Sequence, residues 1–170
     1  MLELIFPKNY HNLSLIYLEN EFPEHFRCED KKLEAINSTN EMEKEGWLFE
    51  NIETGKYYKR CKSDTWHGYS NSTEKPSFVR TIFKGHGLAE IKIGNCGFDN
   101  NGIVKVNLNQ KEIGSLEKMT ERYFNIPFSP NDTLIIIPVS KQPYGAIVNI
   151  FYLHVLCGRM IPISINRVKI

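Results

Sequence analysis

The stretch "SDTWHGYS", Ser63 to Ser70, gathers Trp66, His67 and Tyr69 among small polar residues, with Asp64 inside it and Arg60 just upstream. A sugar presents apolar C–H faces ringed by hydroxyls, so a flat ring beside hydrogen-bonding groups is what would hold one. Trp66 and Tyr69 would then supply the stacking faces, and Asp64, His67 and Arg60 the polar partners. The competing reading is that Trp66 plugs one end of a hydrophobic core with Tyr69 flanking it, the commoner use of a lone tryptophan in a two-layer β protein.

Other chemistry is sparse. None of the five histidines, His11, His25, His67, His86 and His154, forms an HExxH or another spaced metal pair. His86, between two glycines at a turn, is a candidate contact residue; His154 sits in a long apolar run, where a satisfied imidazole is the ordinary reading. There is no GxSxG for a nucleophilic serine and no GxGxxG ahead of a helix for a dinucleotide. Asp64, Asp99 and Asp132 lie in turn-like segments. "GFDNNG" offers Asp99, Asn100 and Asn101 to a structural calcium ion, but without EF-hand spacing, and an Asx-rich turn is the default. No cofactor is expected beyond that possibility.

These residues need a scaffold, and 170 residues is most simply one domain, able to bury roughly two-thirds of its unfolded surface. With 21 Lys and Arg against 20 Asp and Glu, the chain lacks the basic field that phosphate contacts require, so nucleic acid is not an expected partner. Its longest apolar runs, such as "TLIIIPV", fall well short of the ~20 residues that span a bilayer. "MLELIFPKNYHNLSLIYLENEF" lacks the basic start of a signal peptide.

Composition shifts near residue 46. Residues 1–45 are expected to form an N-terminal extension, partly helical or irregular, and 46–170 a β domain. In "LAEIKIGN", Ala89, Ile91 and Ile93 face one way and Glu90 and Lys92 the other; Val104, Val106 and Leu108 alternate with Lys105 and Asn107. "RYFNIPF" puts Phe124, Ile126 and Phe128 on one side, and "AIVNIFYLHVL" reads as a long strand. Period-two patterning of this kind marks half-buried strands. Gly85-His86-Gly87 predicts a tight hairpin between "FVRTIFK" and "LAEIKIG", and "FDNNG", "SPNDT" and "KQPYG" read as further turns. Many short strands and no long helix predict an antiparallel β-sandwich or barrel.

The pieces "GWLFENIETGKYYKRCKSDTWHGYS", "GHGLAEIKIGNCG", "GIVKVNLNQKEIGS" and "FNIPFSPNDTLIII" resemble small extracellular β-sandwich modules of invertebrates and protists, shaped like galactose-binding and discoidin-type jelly rolls. The resemblance covers Gly46 to Gly158 and is most specific at Gly94-Asn95-Cys96 and "VKVNLNQKEI". It implies a jelly-roll sandwich and a non-catalytic, lectin-like binding role toward a glycan or glycoprotein; a structural or protein-interaction domain is the alternative. Two positions depart from its pattern. Asn109-Gln110 stands where Asn-Gly would form a type I′ turn, so a longer or different turn is expected; Asn107 replaces an outward aromatic.

Four cysteines, Cys28, Cys61, Cys96 and Cys157, lie far apart with no CxxC, which leaves two disulfides or four buried thiols. Asn-x-Ser/Thr motifs at Asn12, Asn37, Asn71 and Asn131 lean toward an oxidising, extracellular compartment over a cytoplasmic one. Strand ends in a sandwich bring distant positions together, so Cys96 is expected to bond Cys157, leaving Cys28 to tie the extension to the body through Cys61. A Cys96 nucleophile with a histidine base is the enzymatic alternative.

Overall fold

The computed structural model describes residues 28, 30–34, 38–54, 61, 65–70 and 74–158. The alternation read from sequence is realised in β6 (Gly87–Asn95), β7 (Ile103–Leu108) and β9 (Thr120–Phe128). Ala89, Ile91, Ile93, Val104, Val106, Phe124, Ile126 and Phe128 are buried in one core. A large apolar side chain buried this fully contributes about 1.5–3 kcal/mol.

The remaining elements are β1 (Lys31–Glu34), α1 (Thr39–Lys44), β2 (Trp47–Glu50), β3 (Ile52–Thr54), β4 (Trp66–Ser70), β5 (Phe78–Ile82), β8 (Lys111–Leu116), β10 (Thr133–Val139) and β11 (Ile147–Cys157). All strand pairs are antiparallel and build two sheets. The six-stranded sheet runs β3-β4-β11-β6-β9, with β1 continuing the β4 side of β11; the five-stranded sheet runs β2-β5-β10-β7-β8. The chain is a small jelly-roll β-sandwich, as its residues imply.

Its connections differ from the hairpins expected around His86. β5 belongs to the five-stranded sheet and β6 to the six-stranded one, so Gly85-His86-Gly87 carries the chain between layers. "FDNNG" likewise crosses from β6 back to β7, and within Phe83 to Ser115 the hairpin is β7–β8. The reason is that alternation reports which side chains face the core, and both sheets face the same core; it does not report which strands are bonded. The β7–β8 turn is also shorter than expected. Leu108 pairs with Lys111, and Asn109 and Gln110 sit at φ 50 and 69, the type I′ signature. A left-handed Gln costs about 1–2 kcal/mol. Asn109 offsets it by clamping the next loop: its Nδ2 donates to Asp132 Oδ1 at 2.6 Å and its Oδ1 accepts the Thr133 N–H at 2.8 Å.

The disulfides are Cys28–Cys157 and Cys61–Cys96, which corrects the expected pairing. The cause is register. β6 and β11 run antiparallel with Gly87 opposite Cys157 and Asn95 opposite Val148. Cys96 and Cys157 therefore stand at opposite ends of the sheet, roughly 30 Å apart at ~3.4 Å per residue, beyond any disulfide. Cys157 instead meets Cys28, delivered by β1, whose Lys31 pairs with Val155. The expected boundary after residue 45 does not part β1 and α1 from the sandwich, since β1 is a sheet member and Met42 of α1 is buried in the core. In the loop-entropy account, loops of this length are worth on the order of 4–5 kcal/mol per bond.

Candidate functional site

An antiparallel sheet with one face on the core turns alternate side chains to solvent, and on the six-stranded sheet those side chains form an aromatic and charged strip. Register places Tyr152, Lys92 and Tyr123 side by side on β11, β6 and β9, with Glu34 of β1 beyond Tyr152. The next row holds Lys32, His154, Glu90 and Asn125.

A bulge in β11 creates this arrangement. Val148 and Ile150 face the core, and strict alternation would next bury Tyr152. The register shifts between Ile150 and Tyr152, where Phe151 is the extra residue. Beyond it the phase is inverted: Leu153 and Val155 enter the core and Tyr152 and His154 look outward. Phe151 lies across Gly94, whose missing side chain makes room; a Cβ there would sit 3.0 Å from the ring.

The strip is locked by its own contacts. Lys92 Nζ lies 4.3 Å from the Phe151 ring centroid, 5.3 Å from that of Tyr123 and 2.7 Å from Glu121 Oε2. The hydrogen bond to Glu121 holds the ammonium above its ordinary lysine range. Tyr152 stacks on His154 at 4.7 Å and tilts against Tyr123 at 6.2 Å. Burial is the main cause that raises the Tyr152 phenol. His154 Nε2 is 3.0 Å from Glu34 Oε1, and hydrogen bonds from Lys32 and then His154 hold that carboxyl below its usual range. Tyr123 remains 62% exposed. Chemically, the strip offers ring faces for apolar C–H surface and, within the same two rows, donors and acceptors for hydroxyl groups.

The residues singled out from sequence are placed differently. Trp66 is 1% exposed and Tyr69 0%, so neither presents a face to a ligand, which corrects the stacking role expected of them. Trp66 Nε1 donates to Thr39 Oγ1 at 3.3 Å and its ring meets Phe49; Tyr69 donates to Glu53 Oε2 at 2.8 Å and packs on Tyr144. Gly68 serves that burial, because a Cβ there would strike the Trp66 ring at 2.6 Å. His67 is half-buried beside Asn149, on the outer side of the same sheet as the strip, with Nδ1 3.3 Å from the Thr65 carbonyl oxygen. His86 is exposed at the β5–β6 crossing, where its carbonyl accepts the Gly158 N–H. Arg60 and Asp64 lie outside the described residues.

Cys96 is bonded to Cys61 and supplies no thiolate, which removes the Cys-His alternative. Asp99 shapes an Asx turn: its carboxylate accepts the Asn101 N–H and the Ser140 hydroxyl, and those bonds keep its pKa low. Among the described residues no three His, Cys, Asp or Glu side chains converge as a metal-binding group, and no helix is long and apolar enough to cross a membrane. Asn95, in the "GNC" piece, is a buried brace: its Nδ2 donates to the Gly102 and Leu116 carbonyls and its Oδ1 accepts the Gly97 and Ile147 N–H groups.

No family model matches the chain, and no curated protein matches its sequence. Solved structures do resemble it. Against VesC, a secreted serine protease from Vibrio cholerae, the TM-score is 0.50 at 10% identity over 73% of this chain and 28% of the protease, so the chain spans little more than a quarter of that protein. A family 35 carbohydrate-binding module from Clostridium thermocellum matches at TM-score 0.47 and 12% identity, over 76% of this chain and 99% of the module. The CBM36-1 domain of a multidomain xylanase from the hindgut metagenome of Trinervitermes trinervoides matches at 0.42 and 12%, over 78% and 100%. Likeness at these identities concerns the fold, and sites are argued from their own residues.

Proposed function

We propose that this chain is a non-catalytic glycan-binding module whose ligand lies along the outer face of the six-stranded sheet, across Tyr123, Lys92, Tyr152 and His154. One observation carries the reading: an outward row of two tyrosines straddling a lysine, with Tyr123 62% exposed. Exposed rings on a rigid strand cost stability little and gain nothing for the fold, whereas they suit a sugar face. The ligand class is neutral. Lys92 is engaged by Glu121 and Lys32 by Glu34, so the lysine cations an anionic sugar would need are already committed. The two disulfides support an extracellular setting.

The test is a printed array of neutral and acidic oligosaccharides probed with the wild-type chain and with Tyr123→Ala. Binding to neutral glycans that falls tenfold or more in the variant, equivalent to about 1.4 kcal/mol or more, at unchanged melting temperature, is the expected result. A blank array, or binding indifferent to Tyr123, would remove the proposal.

A further inference from the structure

Of the four Asn-x-Ser/Thr motifs, those at Asn12, Asn37 and Asn71 lie outside the described residues, and the fourth, Asn131-Asp132-Thr133, falls in the β9–β10 turn. Pro130 and Asn131 are the central pair of that turn. Asn131 takes φ 70 and the Asp132 N–H donates to the Ser129 carbonyl at 3.1 Å, the type II pattern, whose second central position favours Gly or Asn. The turn is pinned without help from the Asn131 side chain. The Asn131 N–H donates to the Phe83 carbonyl at 3.0 Å, the Ser129 N–H to Asp132 Oδ2 at 2.7 Å, and the Thr133 N–H to Asn109 Oδ1 at 2.8 Å. Asn51 and Asn109 also hold left-handed positions, and both use their amides: Asn51 Nδ2 donates to the Pro76 carbonyl at 2.8 Å and Asn109 Nδ2 to Asp132 Oδ1 at 2.6 Å. Asn131 is exposed, and its side-chain amide has no hydrogen-bond partner among the described residues. Glycine would serve that backbone equally, so the amide itself is surplus to the fold.

We propose that Asn131 is an N-glycosylation site, modified from a lipid-linked oligosaccharide as the chain enters a secretory pathway. The motif is the acceptor for that chemistry in secreted chains, and two disulfides suit the same oxidising compartment. In the transfer, Asn131 Nδ2 attacks the anomeric carbon of an oligosaccharide carried on a lipid pyrophosphate. The bond from that carbon to the pyrophosphate oxygen breaks, and the lipid pyrophosphate leaves with the electron pair. Nδ2 gives one proton to a base of the transferase, so a C–N bond replaces one N–H. The transfer takes place on the nascent chain, so the finished fold has only to release the amide and hold the sugar in solvent; the exposed turn does both. Thr133, whose hydroxyl completes the motif, donates it to the Asn131 carbonyl at 3.3 Å in the folded chain. The turn follows Phe128, itself roughly 17 Å along β9 from Tyr123 at ~3.4 Å per residue. The first sugar therefore stands clear of the Tyr123–Lys92–Tyr152 strip, and the inference does not depend on what that strip binds.

Peptide mapping of the full chain, secreted from insect cells behind a heterologous leader, tests this without any ligand. Peptide-N-glycosidase in heavy-oxygen water turns a glycosylated asparagine into labelled aspartate. The expected result is label at 131 in most copies of the secreted, disulfide-bonded chain. Thr133→Val keeps a β-branched residue in β10 and should lose the label at 131. Asn131→Gly keeps the left-handed turn and should secrete a chain lighter by one glycan. After deglycosylation, both variants should melt at the wild-type temperature. An unmodified Asn131 in the secreted wild-type chain would overturn the proposal. So would label that persists in Thr133→Val, since that marks deamidation of the asparagine, or a mass that Asn131→Gly does not lower by a glycan.

Discussion

Two aromatic clusters lie on opposite faces of the six-stranded sheet, and they are built from the same residue types to opposite ends. Trp66, at 1% exposure, and Phe49 of β2 point into the interior between the sheets, whereas Tyr69, on the outer side with His67, is buried in a second small cluster with Cys61, Cys96 and Ile147. Tyr123, Tyr152 and Phe151 point away from it, gathered around Lys92. Residue type does not separate Trp66 from the outward tyrosines; strand phase does, and Tyr69, outward in phase, is buried by the cover that Cys61, Cys96 and Tyr144 give it. A buried ring stabilises by excluded water and packing, whereas an exposed ring has little to do for the fold.

The sharpest way to break the comparison is to truncate one ring from each cluster. Trp66→Ala opens a large cavity under Gly68 and should cost about 3–5 kcal/mol, read as a drop in the midpoint of urea unfolding with disulfides intact. A loss under 1 kcal/mol would mean the indole is not core. Asn95→Ala comes next. It strands two carbonyls and two N–H groups at the sandwich end, and about 2–4 kcal/mol should be lost if two or more stay buried without partners; hydrogen exchange should quicken first at Gly97, Ile147 and their neighbours. Tyr152→Ala and Tyr123→Ala should each change unfolding free energy by no more than about 1 kcal/mol while binding to any array-positive neutral glycan falls tenfold or more.

The smallest expected effect is a pH dependence at Lys92. Its folded pKa is raised above the ordinary 10.5 by the Glu121 hydrogen bond. The stabilisation is therefore fully present below about 10.5, the ordinary lysine value, and fades as pH rises through the folded value. Melting curves of wild type and Lys92→Met should differ by a constant amount from pH 7 to about 9.5 and converge above about 10.5. A gap that persists unchanged at high pH would assign the stabilisation to the lysine's methylene stem.

What the sequence made legible follows from the same physics. Alternation in β6, β7 and β9 identified Ala89, Ile91, Ile93, Val104, Val106, Phe124, Ile126 and Phe128 as core, because side-chain direction is a local property of the strand. Sheet membership was not legible, since β5 and β6 share a core without sharing a hydrogen bond. Nor were the partners of Cys96 and Cys157, which depend on the β6–β11 register. The strip itself was hidden by one residue. Read with unbroken alternation, "AIVNIFYLHVL" sends Tyr152 and His154 inward with Val148 and Ile150; the bulge at Phe151 reverses them. A signal was available in the pattern, because Val148 and Ile150 are two apart, Leu153 and Val155 are two apart, and the step between the pairs is odd. Tyr123 was visible on the polar side of "RYFNIPF", but its neighbours on β6 and β11 were not.

The most direct measurement is a backbone amide chemical-shift titration of the wild-type chain with the neutral oligosaccharide that scores highest on the array. The expected outcome is a set of saturable shifts confined to 88–94 on β6, 121–125 on β9 and 149–156 on β11, with 61–70 and the outer face of β10 unmoved. Shifts centred on 61–70 and its loops, or none anywhere on the six-stranded sheet, would contradict a ligand site built by the phase change at Phe151.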